Sequence, residues 1–237
     1  MNRQVSPFRL RSLFPLLLLM AALRPATATE DDAGIWAIFS TTDAFETDNG
    51  TSRWRYWFDA QARYFDVGNG VDQYVLRPGI GYDVSDNMSV WAGYGYFYSR
   101  AANGTTVREN RFWQQLSWNA ARMGGGVLSM RARLEQRSVS SGDDLGLVLR
   151  YMAKYVRPIG ESKGIDLIVS IEPFFNLVDT DWGSETGLGQ LRSVVGVGWT
   201  LTPKLAIETG YMNQHIFRDD AEDLVNHLGV INFKVKF

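Results

Sequence analysis

Only two imidazoles occur in the chain, His215 and His227. They flank the stretch IFRDDAEDLVN, which carries Asp219, Asp220, Glu222 and Asp223. Imidazoles beside carboxylates offer two kinds of chemistry. One is acid–base catalysis, in which a carboxylate orients the histidine. The other is a site for a borderline divalent metal, which takes nitrogen and oxygen donors together. Nucleophilic catalysis needs a third element, a hydroxyl or thiol within reach of the imidazole. The chain has no cysteine, and Gly229 stands two residues after His227, where a serine would give a short His–Ser pairing. No serine is placed by spacing to serve either histidine. An acidic surface loop is usually just solvated. No catalytic residue, metal ligand or cofactor is therefore assigned. An enzyme or metal-binding protein built on His215, His227 and the acidic loop stays as the alternative reading.

Those residues must be held by something, and the rest of the chain reads as strands. Ten segments alternate with a period of two: 53–65, 71–84, 88–100, 108–119, 127–139, 145–156, 165–177, 189–201, 204–217 and 224–237. A shorter apolar piece, GIWAIFSTT (34–42), precedes them, and three placements are open to it: added to the seam, inside the barrel, or split to give twelve strands. Connections rich in Gly, Asn, Asp and Ser separate the segments. They alternate in kind. VSDN (84–87), AARMGGG (120–126), RPIGESKG (157–164) and TPK (202–204) are compact, whereas the intervening ones are mostly longer or more acidic. Short turns on one side and longer loops on the other characterise outer-membrane barrels.

Each segment has two chemically distinct faces. Leu128, Met130, Ala132 and Leu134 oppose Arg131, Arg133, Glu135 and Arg137. Tyr and Trp sit toward the ends of the apolar faces, at Tyr74, Tyr82, Trp118, Trp199 and Tyr211, as interfacial girdles require. The polar phase holds a basic ladder of Arg55, Arg63, Arg77, Arg111, Arg131, Arg133, Arg137, Arg150 and Arg192, with Lys154, Lys234 and Lys236. Its acids are Asp59, Glu109, Glu135, Asp166, Glu172 and Glu208. Twelve bases against six acids make that face net +6. Trp57, Trp91, Trp113, Gly93, Gly95, Gly196 and Gly198 share the phase. Indoles there can stack on guanidinium planes, and glycines leave room for bulky neighbours. A soluble sandwich could not bury such a face, and exposing the same basic ladder on ten strands would be unusual.

The first 28 residues stand apart. Arg3, Arg9 and Arg11 precede the apolar run LFPLLLLMAAL and then Ala26-Thr27-Ala28. That order is a secretory signal peptide, and the run is about half of the ~20 residues a spanning helix needs. Cleavage next to Ala28 is expected. It removes four Arg and no acid, leaving twenty bases and 26 acids, net −6. That balance argues against a nucleic-acid partner. The domain reading is a signal peptide over 1–28 and a barrel over 29–237.

Several longer stretches carry a resemblance. LRPGIGYDVSDNMSVWAGYGYFY (76–98), ENRFWQQLSW (109–118), RARLEQR (131–137), NLVDTDW (176–182), ETGYMNQ (208–214) and the terminal NFKVKF resemble the domain of unknown function 2490 family of bacterial outer-membrane barrels. The resemblance implies a barrel in the outer membrane of a Gram-negative bacterium and no reaction, ligand or partner. The terminal Phe237 is similar to the signal by which barrel-assembly machinery recognises its clients.

The expected fold is thus all-β, an antiparallel up-and-down transmembrane barrel of 10–12 strands. Outer-membrane lipids and the assembly machinery are the expected partners, with small anions or acidic solutes as candidates for the basic interior. Two roles fit: a narrow channel favouring anions, or a structural barrel closed by its own side chains. Barrels of about eight strands are filled and those of sixteen or more are open, so ten to twelve falls between.

Overall fold

A computed structural model describes residues 29–48, 50–65, 70–160, 164–219 and 221–237, so the expected signal peptide lies outside the described residues. The described residues form eleven strands: β1 (Thr29–Thr47), β2 (Gly50–Phe65), β3 (Asp72–Ser85), β4 (Met88–Arg100), β5 (Thr106–Met123), β6 (Gly126–Val139), β7 (Leu145–Pro158), β8 (Ile165–Asn176), β9 (Gly187–Thr202), β10 (Leu205–Ile216) and β11 (Asp223–Val235). Each pairs with its chain neighbours, and β1 closes the barrel against β11.

Two points correct the sequence reading. The unplaced piece 34–42 is the middle of β1, a 19-residue strand paired on both edges. The closure is also parallel rather than antiparallel, running from Thr29 opposite Asp223 to Thr41 opposite Val235. The reason is parity. Eleven strands that reverse at every turn bring the first and last strands into the same direction. The first strand therefore starts at the end opposite the C-terminus. We call the two ends the turn end and the loop end. The turn end holds the β1–β2, β3–β4, β5–β6, β7–β8 and β9–β10 connections and the C-terminus. The loop end holds the other connections and the start of β1. The first residues of β1 are fastened there: Glu30 pairs with Arg218 at 3.3 Å, and Asp31 lies 3.8 Å from His227.

The period-two register holds around the wall. On β2, Asp59, Gln61 and Arg63 are buried inside while Trp54 and Tyr64 are exposed outside. The outer surface is apolar and open, with Ile35, Phe39, Leu76, Ile80, Val90, Phe112, Val169, Val195 and Phe233 exposed. Aromatic pairs gather toward its two ends. Trp54 packs on Tyr82 (5.1 Å between centroids) and Phe45 on Tyr56 (5.5 Å) at the turn end; Tyr64 packs on Tyr74 (6.4 Å) at the loop end.

The strands curve tightly where inward side chains are absent. A Cβ on Gly93 would lie 2.2 Å from the Trp113 ring, so the glycine is what lets that indole lie across the lumen. Gly196 faces Gly210 across β9 and β10, and a Cβ on Gly196 would fall 2.4 Å from the Thr209 carbonyl oxygen. There the two backbones approach more closely than any side chain permits. The last two residues leave the ladder after Val235, although the Lys236 amide still donates to the Lys204 carbonyl at 2.9 Å. Lys236 is exposed at the turn-end rim, past the last paired residue of β11.

Candidate functional site

The interior is the chemically distinctive part of the molecule, and its middle is filled. Glu135 on β6 is its hub. It accepts from Arg137 Nη2 (2.6 Å) on its own strand, Arg111 Nη1 (3.2 Å) on β5 and Arg150 Nη1 (2.5 Å) on β7. Arg150 continues the network with a bidentate grip on Glu172 of β8, at 3.0 Å for each bond. Arg131 joins the same carboxylate from β6 at 2.6 Å. Arg111 also takes Glu109 at 2.8 and 2.7 Å. Forked guanidiniums suit this work because each presents several N–H donors in one plane. Arg133 and Glu135 are each 1% exposed.

Aromatic rings fill the space beside the ions. Trp57 meets Trp91 and Trp113 at 5.8 and 6.1 Å, edge to face. Arg133 lies 4.4 Å over Trp113 and 5.5 Å over Trp57, and its Nε and Nη2 donate to Gln115 at 2.8 and 2.5 Å. Its nearest carboxylate, Glu135, is 3.9 Å away. Asp59 on β2 accepts from Arg77 (2.8 Å), Trp57 Nε1 (2.7 Å) and Gln61 (2.6 Å). Toward the turn end, Lys154 and Lys234 share Glu208 at 3.3 and 3.0 Å, and Arg55 pairs with Asp83 at 3.3 Å. Of the six acids assigned to the inner face, Asp59, Glu109, Glu135, Glu172 and Glu208 pair with its arginines and lysines, and Asp166 is half-buried at the start of β8. Among the described residues, Arg63 and Arg192 make no carboxylate pair.

Two cavities flank the filled layer. The turn-end cavity, about 680 Å³, reaches inward past Arg55, Asp83, Ser89 and Ser117 to Trp57 and Arg131. The loop-end cavity, about 380 Å³, is lined by Arg63, Arg111, Arg192, Gln73, Gln190 and Gln214, among others.

The loop end is also partly covered. In the β8–β9 loop, Asp181 accepts from the Asp143 and Asp144 amides (2.8 and 3.2 Å), while Asp144 accepts from the Asp181 amide (2.8 Å). Trp182 Nε1 donates to the Asp144 carbonyl at 2.9 Å, and the ring lies where a side chain on Gly146 would stand. Farther along, the Thr186 amide donates to Asp179 at 2.6 Å and holds that carboxyl below its ordinary range. The stretch VDTDW is therefore the clasp that ties the β8–β9 loop to the β6–β7 loop.

Among the described residues, the histidines are engaged in local contacts on the outer wall. Gln214 and Asn226 carry the inward phase, so His215 and His227, one residue along, face outward. His215 Nε2 meets Asp223 at 2.8 Å and its ring stacks on Phe217 at 4.3 Å. His227 Nδ1 is hydrogen-bonded to Tyr211 Oη at 2.6 Å. Among the described residues, no three His, Asp or Glu side chains converge as metal ligands would. Asp220 lies outside the described residues.

Sequence reasoning missed the inward amides Gln73, Gln115, Gln190, Gln214 and Asn226. The signal was available, since each shares the phase of a neighbouring inward base or acid. It missed Trp36 for a different reason. That residue sits in an apolar run with no alternation to read, yet its ring is buried inside against Met212 and Leu228.

The model of a family described as "Protein of unknown function (DUF2490)" matches residues 33–225. A relative named "Uncharacterized protein MexAM1_META1p0181", from Methylorubrum extorquens, is 28% identical over 229 residues, covering 95% of this chain and 96% of that protein. Because the family match spans β1 to β11 and takes in most of the chain, the protein belongs to the DUF2490 family.

Proposed function

We propose that this protein is an outer-membrane barrel with a lumen closed across its middle, a structural and solute-holding barrel rather than an open pore or an enzyme. The observation that carries the reading is the buried layer around Arg133, Glu135 and Trp113, which draws on β2 and on β4 through β8 and leaves a separate cavity on each side. Eleven strands enclose more space than eight, and long Arg and Trp side chains fill the difference. The apolar outer band with aromatic ends, the closed sheet of the described residues and the export signal expected from the sequence support placement in a Gram-negative outer membrane. Bases outnumber acids inside, so a solute entering either cavity meets positive potential, which favours anions and acidic solutes. No reaction is assigned. The test is single-channel recording on refolded protein in planar bilayers. No sustained conductance is expected, and a stable open level in the unmodified protein would overturn the closed reading. Anion selectivity of such a level would favour the narrow channel instead.

Phe237 serves biogenesis in this reading. It is 75% exposed, beyond the last ladder residue, so its deletion costs little burial in the finished barrel. Deleting it should sharply reduce assembled protein in cell envelopes while leaving refolding in detergent nearly unchanged. Equal losses in both settings would show that the residue is structural.

A further inference from the structure

We propose that the loop-end cavity is a binding site for a small oxyanion, a carboxylate, phosphate or sulfate group, held by Arg63 and Arg192. Three guanidiniums line this cavity, and Asp32 is the only carboxylate among its described lining residues. Arg111 is committed to Glu109 and Glu135. The other two are satisfied only by neutral amides. Arg63 donates from Nε and Nη2 to the Gln61 oxygen (2.8 and 2.5 Å) and from Nη1 to Gln73 (2.6 Å). Arg192 reaches Gln190 at 2.5 and 3.0 Å, with that amide turned so that its oxygen faces the guanidinium. Amides complete the hydrogen bonds of these groups but do not offset their charge.

Aromatic rings supply the remaining compensation. Trp36 lies 4.1 Å from Arg63 and 4.9 Å from Arg192, so both cations lean on one indole, and Phe174 adds a contact to Arg192 at 4.5 Å. Ring faces attract a cation but carry no net charge. Two like charges on one ring, at the wall of a cavity open to the loop end, leave a positive site with unused N–H donors. A guanidinium fork matches the paired oxygens of a carboxylate or phosphate. Elsewhere inside, Glu135 and Glu172 play that part for their arginines; here the anion would come from solution.

The site rests on the closed-barrel reading only in treating the cavity as a dead end. Its test is equilibrium binding by calorimetry on protein in detergent micelles. The probes are inorganic phosphate and, separately, glutarate, with chloride at equal ionic strength as the reference. Saturable binding of at least one probe is expected, together with a rise in thermal midpoint that grows with probe concentration. The double variant Arg63→Gln/Arg192→Gln should bind at least tenfold more weakly, whereas Arg55→Gln in the other cavity should bind as the unmodified protein does. If the double variant does not fold, each single variant should show a severalfold loss. Binding no stronger than chloride, or binding unchanged in the variants, would overturn the site. A conducting barrel that still binds phosphate here would sink the closed reading and leave the site standing; a silent barrel without binding would do the reverse.

Discussion

Glu135→Gln destabilises the folded barrel by about 3–5 kcal/mol, the usual cost of removing one partner from a buried ion network. The substitution keeps the shape of the side chain and deletes one negative charge. Three guanidiniums donate to that carboxylate, from Arg111, Arg137 and Arg150, and Arg133 lies 3.9 Å away. Five arginines in the layer already share three carboxylates, Glu109, Glu135 and Glu172. Losing one acid leaves five against two, with little water at hand to solvate the excess. Glu30→Gln gives the contrast. Its pair with Arg218 joins an exposed carboxylate to a half-buried guanidinium at the rim, and such surface pairs are worth about 1 kcal/mol or less. Denaturant titration of both variants in lipid vesicles would rank them. If Glu135→Gln cost no more than Glu30→Gln, the filled layer would not be what holds the interior together.

The same network shows why most of the wall was legible from sequence and one strand was not. Where the inside is polar and the outside apolar, a strand alternates, and its register reads directly: Arg131, Arg133, Glu135 and Arg137 could be placed inside by phase alone. β1 breaks that condition. Its outward Ile35, Ala37 and Phe39 alternate with inward Trp36 and Ile38, so both faces are apolar and the stretch resembles one continuous run. The cause is local. Near the seam the interior is a small hydrophobic cluster of Trp36, Met212 and Leu228, with Phe65, Val194 and Val230 against it. With β1 left unplaced, the parity of the strand count stays open and the parallel closure cannot be foreseen.

Interior partners were less legible than faces. Phase places Arg63 and Arg77 alike on the inner wall, but it cannot say that Arg77 meets Asp59 while Arg63 meets two glutamines. That choice depends on strand stagger. Arg77 stands directly opposite Asp59 and Arg63 opposite Gln73 in the β2–β3 register. The histidines teach the converse. Their phase was readable from Gln214 and Asn226, and it already set both rings on the outer wall, away from the cavities.

Ala132→Arg should destabilise the barrel in lipid by about 2–4 kcal/mol, the range for an arginine facing lipid near the bilayer midplane. Ala132 is the position that isolates this effect. It lies midway along β6, opposite Leu116 on β5 and Tyr151 on β7, and its phase is that of the exposed outer band. One residue away, Arg133 points inward and is buried against Trp57 and Trp113. Ala132→Met controls for bulk, and it should cost little because a long apolar chain is at home in lipid. Arg133→Met removes a buried cation with one distant carboxylate while keeping much of its volume, so it should cost less than Ala132→Arg even though Gln115 loses its donor. The measurement is the unfolding free energy of the three variants in vesicles of one lipid composition. In short-chain detergent the penalty for Ala132→Arg should shrink, since water reaches the arginine more readily there. The opposite ranking, with Arg133→Met worse than Ala132→Arg, would mean that inner and outer faces are exchanged, because a slip of one residue turns every side chain of a strand to the other side.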